Sequence, residues 1–361
     1  MEEKGKKGRM DYTLLLIVVL LVVIGLVILY STSAYNGQVK FHDSFYYLKK
    51  QAFATVLGIV LMLLVAGMDY HIWQRLAVFG YLAAVALSVA VMLFGREING
   101  SKRWLALGPF SFQPSEFAKV ALILFLADLV TKNVKTIGKM WTLCRIMFWI
   151  LPIVGLVGAS NLSTAIIILG IGVILIFVAS PKYAQFALMG IAGACFMGIF
   201  LALESYRLER LAIWRNPEKY EKGYQTLQGL YAIGSGGVFG VGIGNSVQKL
   251  GFVPEAQNDM IFSIICEELG LAGAGIIVFL FLLLIWRFFL IASGSRDLFG
   301  ALIATGAMAH MMIQVILNIA VVTNTIPNTG ITLPFISYGG TSVMFLLIEM
   351  GLVLSVSQVV D

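Results

Sequence analysis

"YTLLLIVVLLVVIGLVILYST", residues 12 to 32, runs for 21 positions without one charged side chain. About 20 consecutive apolar residues make a helix long enough to cross the hydrocarbon core of a bilayer, where every backbone N–H and C=O must be paired within the span. Similar runs recur along the 361-residue chain, at approximately 12–32, 50–68, 74–94, 116–131, 146–159, 162–179, 184–203, 260–288, 299–323 and 339–358. The pattern predicts an all-α, polytopic integral membrane protein with about ten transmembrane helices. The fifth and sixth runs are short and divided only by Ser160 and Asn161, so a broken pair or a re-entrant element, giving nine spans, stays open. Composition agrees, with 59% hydrophobic and 12% charged residues against about 25% charged in soluble domains.

The first run follows the basic segment "MEEKGKKGR", but it is too long for a secretory signal and no small-residue cleavage site follows it. We read it as a retained helix behind a short tail, residues 1–11. Lys132, Lys135, Lys139 and Arg145 fall between the fourth and fifth runs, on the same side as the N-terminus. The positive-inside rule makes that side cytoplasmic, and an even span count returns the C-terminus to it. Six Lys or Arg in the long segment 204–259 run against the rule, which is weak for long loops. The net charge of +6 needs no nucleic-acid partner in a basic membrane protein. Cys144, Cys195 and Cys266 show no paired spacing and His42, His71 and His310 no ligand pair, so the residues suggest neither a disulfide framework nor a metal site.

The polar sequence collects in three stretches that this topology places on the outer face: 95–115, 204–259 (a large loop between the seventh and eighth spans) and 324–338. In the first, Pro114 and Ser115 mark a helix start, and Glu116 and Lys119 stand three apart on one face, as an ion pair or as substrate contacts. Upstream stand Arg103, which can grip phosphate, and Trp104, which can stack on a sugar or anchor at the interface. The second opens with a basic, aromatic segment containing Arg210 and continues with seven glycines between 229 and 244. No strand precedes those glycines and no Lys-Ser/Thr follows, so close backbone packing suits them better than a nucleotide. "FVPEAQNDMIFSIICEELG", residues 252–270, then brings four carboxylates. Read as one helix from 255, it sets Glu255 a turn above Asp259 and Glu267 about 12 Å deeper. Asp259 stands at the water boundary, where a bound lipid could raise its pKa toward that of a useful base. Glu267 and Glu268 lie within the span, as functional carboxylates or as partners of Lys119 or another buried base. The third stretch, with two prolines, Gly330 and Ser337, predicts an irregular turn covered by protein or lining a cavity.

"NGSKRWLALGPFSFQPSEFAK", "GYQTLQGLYAIGSGGVFGVGIGNSVQKLGFVPEAQNDMIFSIICEELG" and "PNTGITLPFISYGGTS" resemble, in order and in register, the signature stretches of the SEDS (shape, elongation, division and sporulation) family, and closer to its division and sporulation branch. The resemblance runs through most of the chain and implies a single SEDS-type membrane domain over 1–361 in the bacterial cytoplasmic membrane. It implies a peptidoglycan glycosyltransferase that polymerises lipid II at the outer face, beside a class B penicillin-binding protein and other division or sporulation proteins. Carried over by position, the essential acid falls on Asp259, and the Arg-Trp and Gln-Pro-Ser-Glu...Lys positions fall on Arg103, Trp104, Gln113, Glu116 and Lys119. We add Arg210, Glu255 and Ser337 as substrate-binding candidates. The chain departs from the family pattern at Asn161, Leu162, Ser163 and Thr164, where relatives carry an Asp, and at Met260 in place of Phe. One base suffices when the leaving group is a pyrophosphate neutralised by cations, and a divalent ion, Mg or Mn, is the one cofactor this leaves open. Displacement assisted by a single carboxylate predicts inversion. A flippase or transporter for a lipid-linked precursor and a non-catalytic division scaffold are the alternatives.

Overall fold

The computed structural model describes residues 8–98, 101–107, 110–187, 190 and 211–360. Long helices follow one another as α1 (Tyr12–Phe41), α2 (Tyr46–Gly67), α3 (His71–Phe94), α4 (Pro114–Asn133), α5 (Met140–Ser160) and α6 (Leu162–Ala179). A short α7 (Tyr224–Ser235) precedes α8 (Ile261–Gly294), α9 (Leu298–Val322) and α10 (Gly340–Ser357). Local chemistry sets several boundaries. Asp11, Asn161 and Asp297 cap α1, α6 and α9 by accepting from the amides of Leu14, Thr164 and Gly300, and Pro114 opens α4, where a helix has no use for its missing N–H.

Eight of these helices are long and apolar enough to cross a membrane; α4 has the length but not the composition, since it carries Glu116, Lys119, Asp128 and Lys132. Other helices enclose it, so Glu116, Lys119 and Asp128 are buried in protein and do not meet lipid. The outer helices show the converse, with Leu16, Phe53, Phe79, Leu151 and Leu282 all more than half exposed on surfaces suited to hydrocarbon. The expected seventh span, 184–203, falls largely outside the described residues. The fifth and sixth runs form two separate helices: Gly172 meets Ile150 and Gly158 meets Ala165, the spacing of an antiparallel hairpin turned at Asn161.

Both described ends of the chain meet at one end of the bundle. Gly8 donates to the Gln358 carbonyl, Asp11 pairs with Arg287, and Gln358 donates to Ala66. The described parts of all three polar stretches gather at the opposite end. Two readings need correction there. The 95–115 stretch is not a plain loop: β1 (Arg96–Ile98), β2 (Ser101–Leu107) and β3 (Phe110–Phe112) form a small antiparallel sheet in the order β1-β2-β3, the one departure from an all-α fold among the described residues. The helix expected from residue 255 starts at Ile261, because residues 251–260 form a run of turns in which Glu255 has φ 49°.

Helix α8 breaks at Gly270 (φ 67°, ψ −171°). The glycine-rich stretch docks into the break: Val241 and Gly242 donate to the carbonyls of Glu267 and Glu268 at 3.0 and 2.9 Å, while Leu271 and Ala272 donate back to Gly237 and Val238. These bonds satisfy the backbone groups that the break frees, as a non-aqueous setting demands. Gly240 has φ +78°, and a Cβ there would sit 2.2 Å from the Glu268 carbonyl oxygen. Gly240→Ala is therefore expected to undock the loop, adding a backbone clash to the ~1–2 kcal/mol of a left-handed residue. Thermal unfolding in detergent checks this; an unchanged melting temperature would refute it.

Candidate functional site

Asp259 is the second-to-last residue before α8, half-buried, at the end where the polar stretches meet. Its backbone carbonyl accepts from Asn318 Nδ2 at 2.9 Å. Its Oδ1 lies 3.5 Å from Gln225 Nε2 on α7, and its Oδ2 would be 3.9 Å from a Cβ placed on Gly330. Three remote segments thus meet at this one residue. Burial pushes its carboxyl up to about 6; the Asp259 backbone amide opposes it most, the Glu255 charge adds to it, and the Met260 amide and Gln225 oppose it less.

The segment 323–339 is fastened across this region from several directions. Trp214 Nε1 donates to the Asn324 carbonyl (2.9 Å), Asn328 Nδ2 to Gln225 Oε1 (3.3 Å) and Ser163 Oγ to the Thr329 carbonyl (2.7 Å). From α9, Asn318 Nδ2 reaches the Ile331 carbonyl at 2.7 Å and Gln314 Nε2 the Thr332 carbonyl at 3.0 Å. Tyr338 donates its amide to the Gln257 carbonyl at 2.9 Å, tying the segment to the turn that bears Asp259.

The expected residues fall into distinct places. Glu255 is a left-handed turn residue whose Oε2 accepts from Asn258 at 2.5 Å. Glu116 and Lys119 form the i,i+3 pair at 3.0 Å, buried, with Ser342 Oγ donating to Glu116 and Lys119 Nζ reaching Gln314 Oε1 at 3.3 Å. Gln314 is one helical turn from Asn318, so the pair neighbours, along α9, the residue that grips the Asp259 backbone. Ser337 spends its hydroxyl inside its own turn, accepting from the Leu333 amide at 2.8 Å. On β2, Arg103 Nε donates to the Ser160 carbonyl at 3.0 Å and Trp104 is half-buried beside it. Gln113 holds the N-cap position of α4, with its amide 3.1 Å from Ser115 Oγ. Arg210 lies outside the described residues.

Glu267 and Glu268 do not pair with Lys119. Glu268 takes Lys249 at 2.6 Å and Ser31 Oγ at 2.7 Å, while Glu267 accepts from Ser246 and the Val247 amide. Sequence reasoning missed Gln225, Asn328, Gln314, Asn318 and Glu349, and read His310 only as lacking a ligand pair. His310 is buried between Glu349 Oε2 and Gln314 Oε1, each at 2.8 Å. The signal was present: His310, Gln314 and Asn318 recur every fourth residue, one polar stripe along an apolar helix. A divalent ion bound through pyrophosphate needs one or two carboxylates, but no group of three or more His, Cys, Asp or Glu that could hold a metal occurs among the described residues. Among the described residues these side chains form no dedicated metal cage.

Residues 12–361 match the cell cycle protein family that groups FtsW, RodA and SpoVE. Stage V sporulation protein E of Bacillus subtilis is 39% identical, the match covering 98% of each chain. A probable peptidoglycan glycosyltransferase FtsW of Trichlorobacter lovleyi is 35% identical over 96% of this chain and 93% of its own. Among solved structures, a chain of a peptidoglycan synthase complex described as coordinating polymerization and crosslinking superposes with a TM-score of 0.84 at 30% identity, covering 96% of this chain and 97% of that one. The rod shape determining protein RodA of Thermus thermophilus gives 0.72 at 28% identity, with 96% of both chains covered.

Proposed function

The chain belongs to the FtsW/RodA/SpoVE family of cell cycle proteins and is a peptidoglycan glycosyltransferase of the cytoplasmic membrane, and from that premise we propose that it polymerises lipid II with Asp259 as general base. The observation that carries this reading is the half-buried Asp259 carboxyl, pushed by burial up to about 6 where the 204–259 and 324–338 stretches meet. A base is most effective when its pKa lies near the working pH.

Asp259 takes the proton from the 4-hydroxyl of the acceptor sugar as that oxygen bonds to the anomeric carbon of the donor. The bond from that carbon to the lipid pyrophosphate breaks, its electron pair leaves with the pyrophosphate, and the configuration inverts. Water later removes the proton from Asp259. Among the sequence candidates Arg103 suits the pyrophosphate by chemistry. Lys119 is committed to Glu116 and Gln314, so we assign that pair to holding α4 against α9. We place the site on the outer membrane face, since Lys132, Lys135, Lys139, Arg145 and Lys182 mark the end that holds the termini as cytoplasmic. A transpeptidase of the class B penicillin-binding type is the proposed partner, by analogy with the related synthase complex.

The test is glycan polymer formation from lipid II by the purified chain, with and without that partner. No polymer under either condition, with folded protein, would refute the proposal. The pH profile sharpens it. Only ionised Asp259 accepts a proton, so the rate should rise with pH through a midpoint near 6 and level off above. Glu255→Gln removes a charge that raises the Asp259 pKa, so its midpoint should fall; a midpoint that stays put, or rises, would discard Glu255 as a tuning group.

A further inference from the structure

Asp259 lacks the hold of a regular helix. It sits in turns, outside the regular ladder of α8, and the Ser263 amide donates to Met260 at 3.1 Å, not to Asp259. Its carboxyl is met by the backbone amides of Asp259 and Met260 and, from outside its own segment, by Gln225 at a long 3.5 Å. The direction in which the carboxyl points is therefore inherited from its backbone, and the shortest bond to that backbone from another element comes from Asn318.

Asn318 is fully buried on α9, and both of its N–H bonds go to carbonyls: Asp259 at 2.9 Å and Ile331 at 2.7 Å. Carbonyls only accept, so this fixes which side of the amide is nitrogen. Its Oδ1 finds no donor among the described residues. A buried amide that gives up one of its acceptor bonds to grip two carbonyls with the other side is serving those carbonyls. The second one matters as much as the first. Ile331 follows Gly330, the residue that faces Asp259 Oδ2, so one side chain holds the carboxyl-bearing turn and the wall opposite it.

We propose that Asn318 is a positioning residue for glycosyl transfer, setting the gap between the Asp259 side chain and the Gly330 backbone in which the acceptor hydroxyl is deprotonated. This rests on the reading of Asp259 as base. A misplacement of 1 Å in such a gap costs about 100-fold in rate, and it acts on the reacting geometry more than on lipid binding.

The test compares purified Asn318→Asp, which keeps the shape and loses both donors, with Asn318→Gln, which keeps the donors on an arm one methylene longer. Lipid II polymerisation, its pH profile and detergent melting curves are read for both, with Asp259→Asn alongside. Asn318→Asp should lose at least about 10-fold in kcat with KM little changed, and its pH midpoint should rise because a second acid now adjoins Asp259. Asn318→Gln should recover part of kcat and keep the wild-type midpoint. The inference is overturned if folded Asn318→Asp keeps its kcat and midpoint, if the two variants lose kcat and KM equally, or if both fail to fold. An active Asp259→Asn would instead bring down the base reading itself. An inactive Asp259→Asn beside unaffected Asn318 variants would remove Asn318 alone.

Discussion

Asp259→Ala is expected to lower kcat for polymerisation of lipid II by about 100-fold to 10,000-fold, the usual contribution of one positioned base, while leaving the protein folded. The substitution removes the one carboxyl that the structure places between α7, α9 and the 323–339 segment. It does not remove the backbone carbonyl that Asn318 grips. Stability should move in the opposite direction from activity. The folded-state pKa of about 6 exceeds the ordinary aspartate value of 3.8, so folding favours the protonated acid. The stabilisation is complete below 3.8 and is lost as pH rises toward 6; above that the ionised carboxylate is a burden on the folded state. Asp259→Asn, neutral at every pH, should therefore melt higher than wild type at neutral pH and alike in acid. A variant that polymerises at the wild-type rate would remove Asp259 from the reaction. One that melts lower at neutral pH would show that the carboxylate is stabilised by contacts and not strained by burial.

The second large effect is on folding. Lys249→Met should destabilise the protein by about 3–5 kcal/mol, because it leaves Glu268 as a buried charge without its cation. Glu268 is 1% exposed, Lys249 lies 2.6 Å away, and Ser31 Oγ of α1 bonds to both. The cluster thus ties α1, the glycine-rich loop and the broken helix α8 together at one point. Adding Glu268→Gln to Lys249→Met should restore most of the loss, since a neutral amide can still accept from Ser31. Melting curves of the two single variants and the double variant in detergent decide the matter. Losses that simply add would show that Glu268 and Lys249 act separately. The same logic applies to Glu116 and Lys119, but there Ser342 and Gln314 share the load.

Much of the architecture was readable because lipid enforces a one-dimensional rule. A run of about 20 apolar residues has few options in a bilayer, and the helices at 12–41, 71–94 and 298–322 overlap the runs read from sequence. The alternation of spans also brought residues 95–115, 204–259 and 324–338 to one side, where Asp259 stood out as an acid at a boundary. Two local forecasts failed for local reasons. The turns before Ile261 overrode the helical pattern of 255–260, and a three-stranded sheet formed in 96–112, where the polar stretch between two spans had suggested an outer loop.

Which polar group answers which was another matter. Ser31 and Glu268 are 237 positions apart, Ser163 and Thr329 are 166, and Asn318 and Asp259 are 59. Hydropathy and helical period locate such residues on a span and on a face, and so the sequence by itself marked the apolar runs, the end at which the polar stretches gather and an acid at the start of one helix. The partner of each buried group was decided only by tertiary structure, because a hydrogen bond demands atoms within about 3 Å and that proximity exists only once the helices have packed.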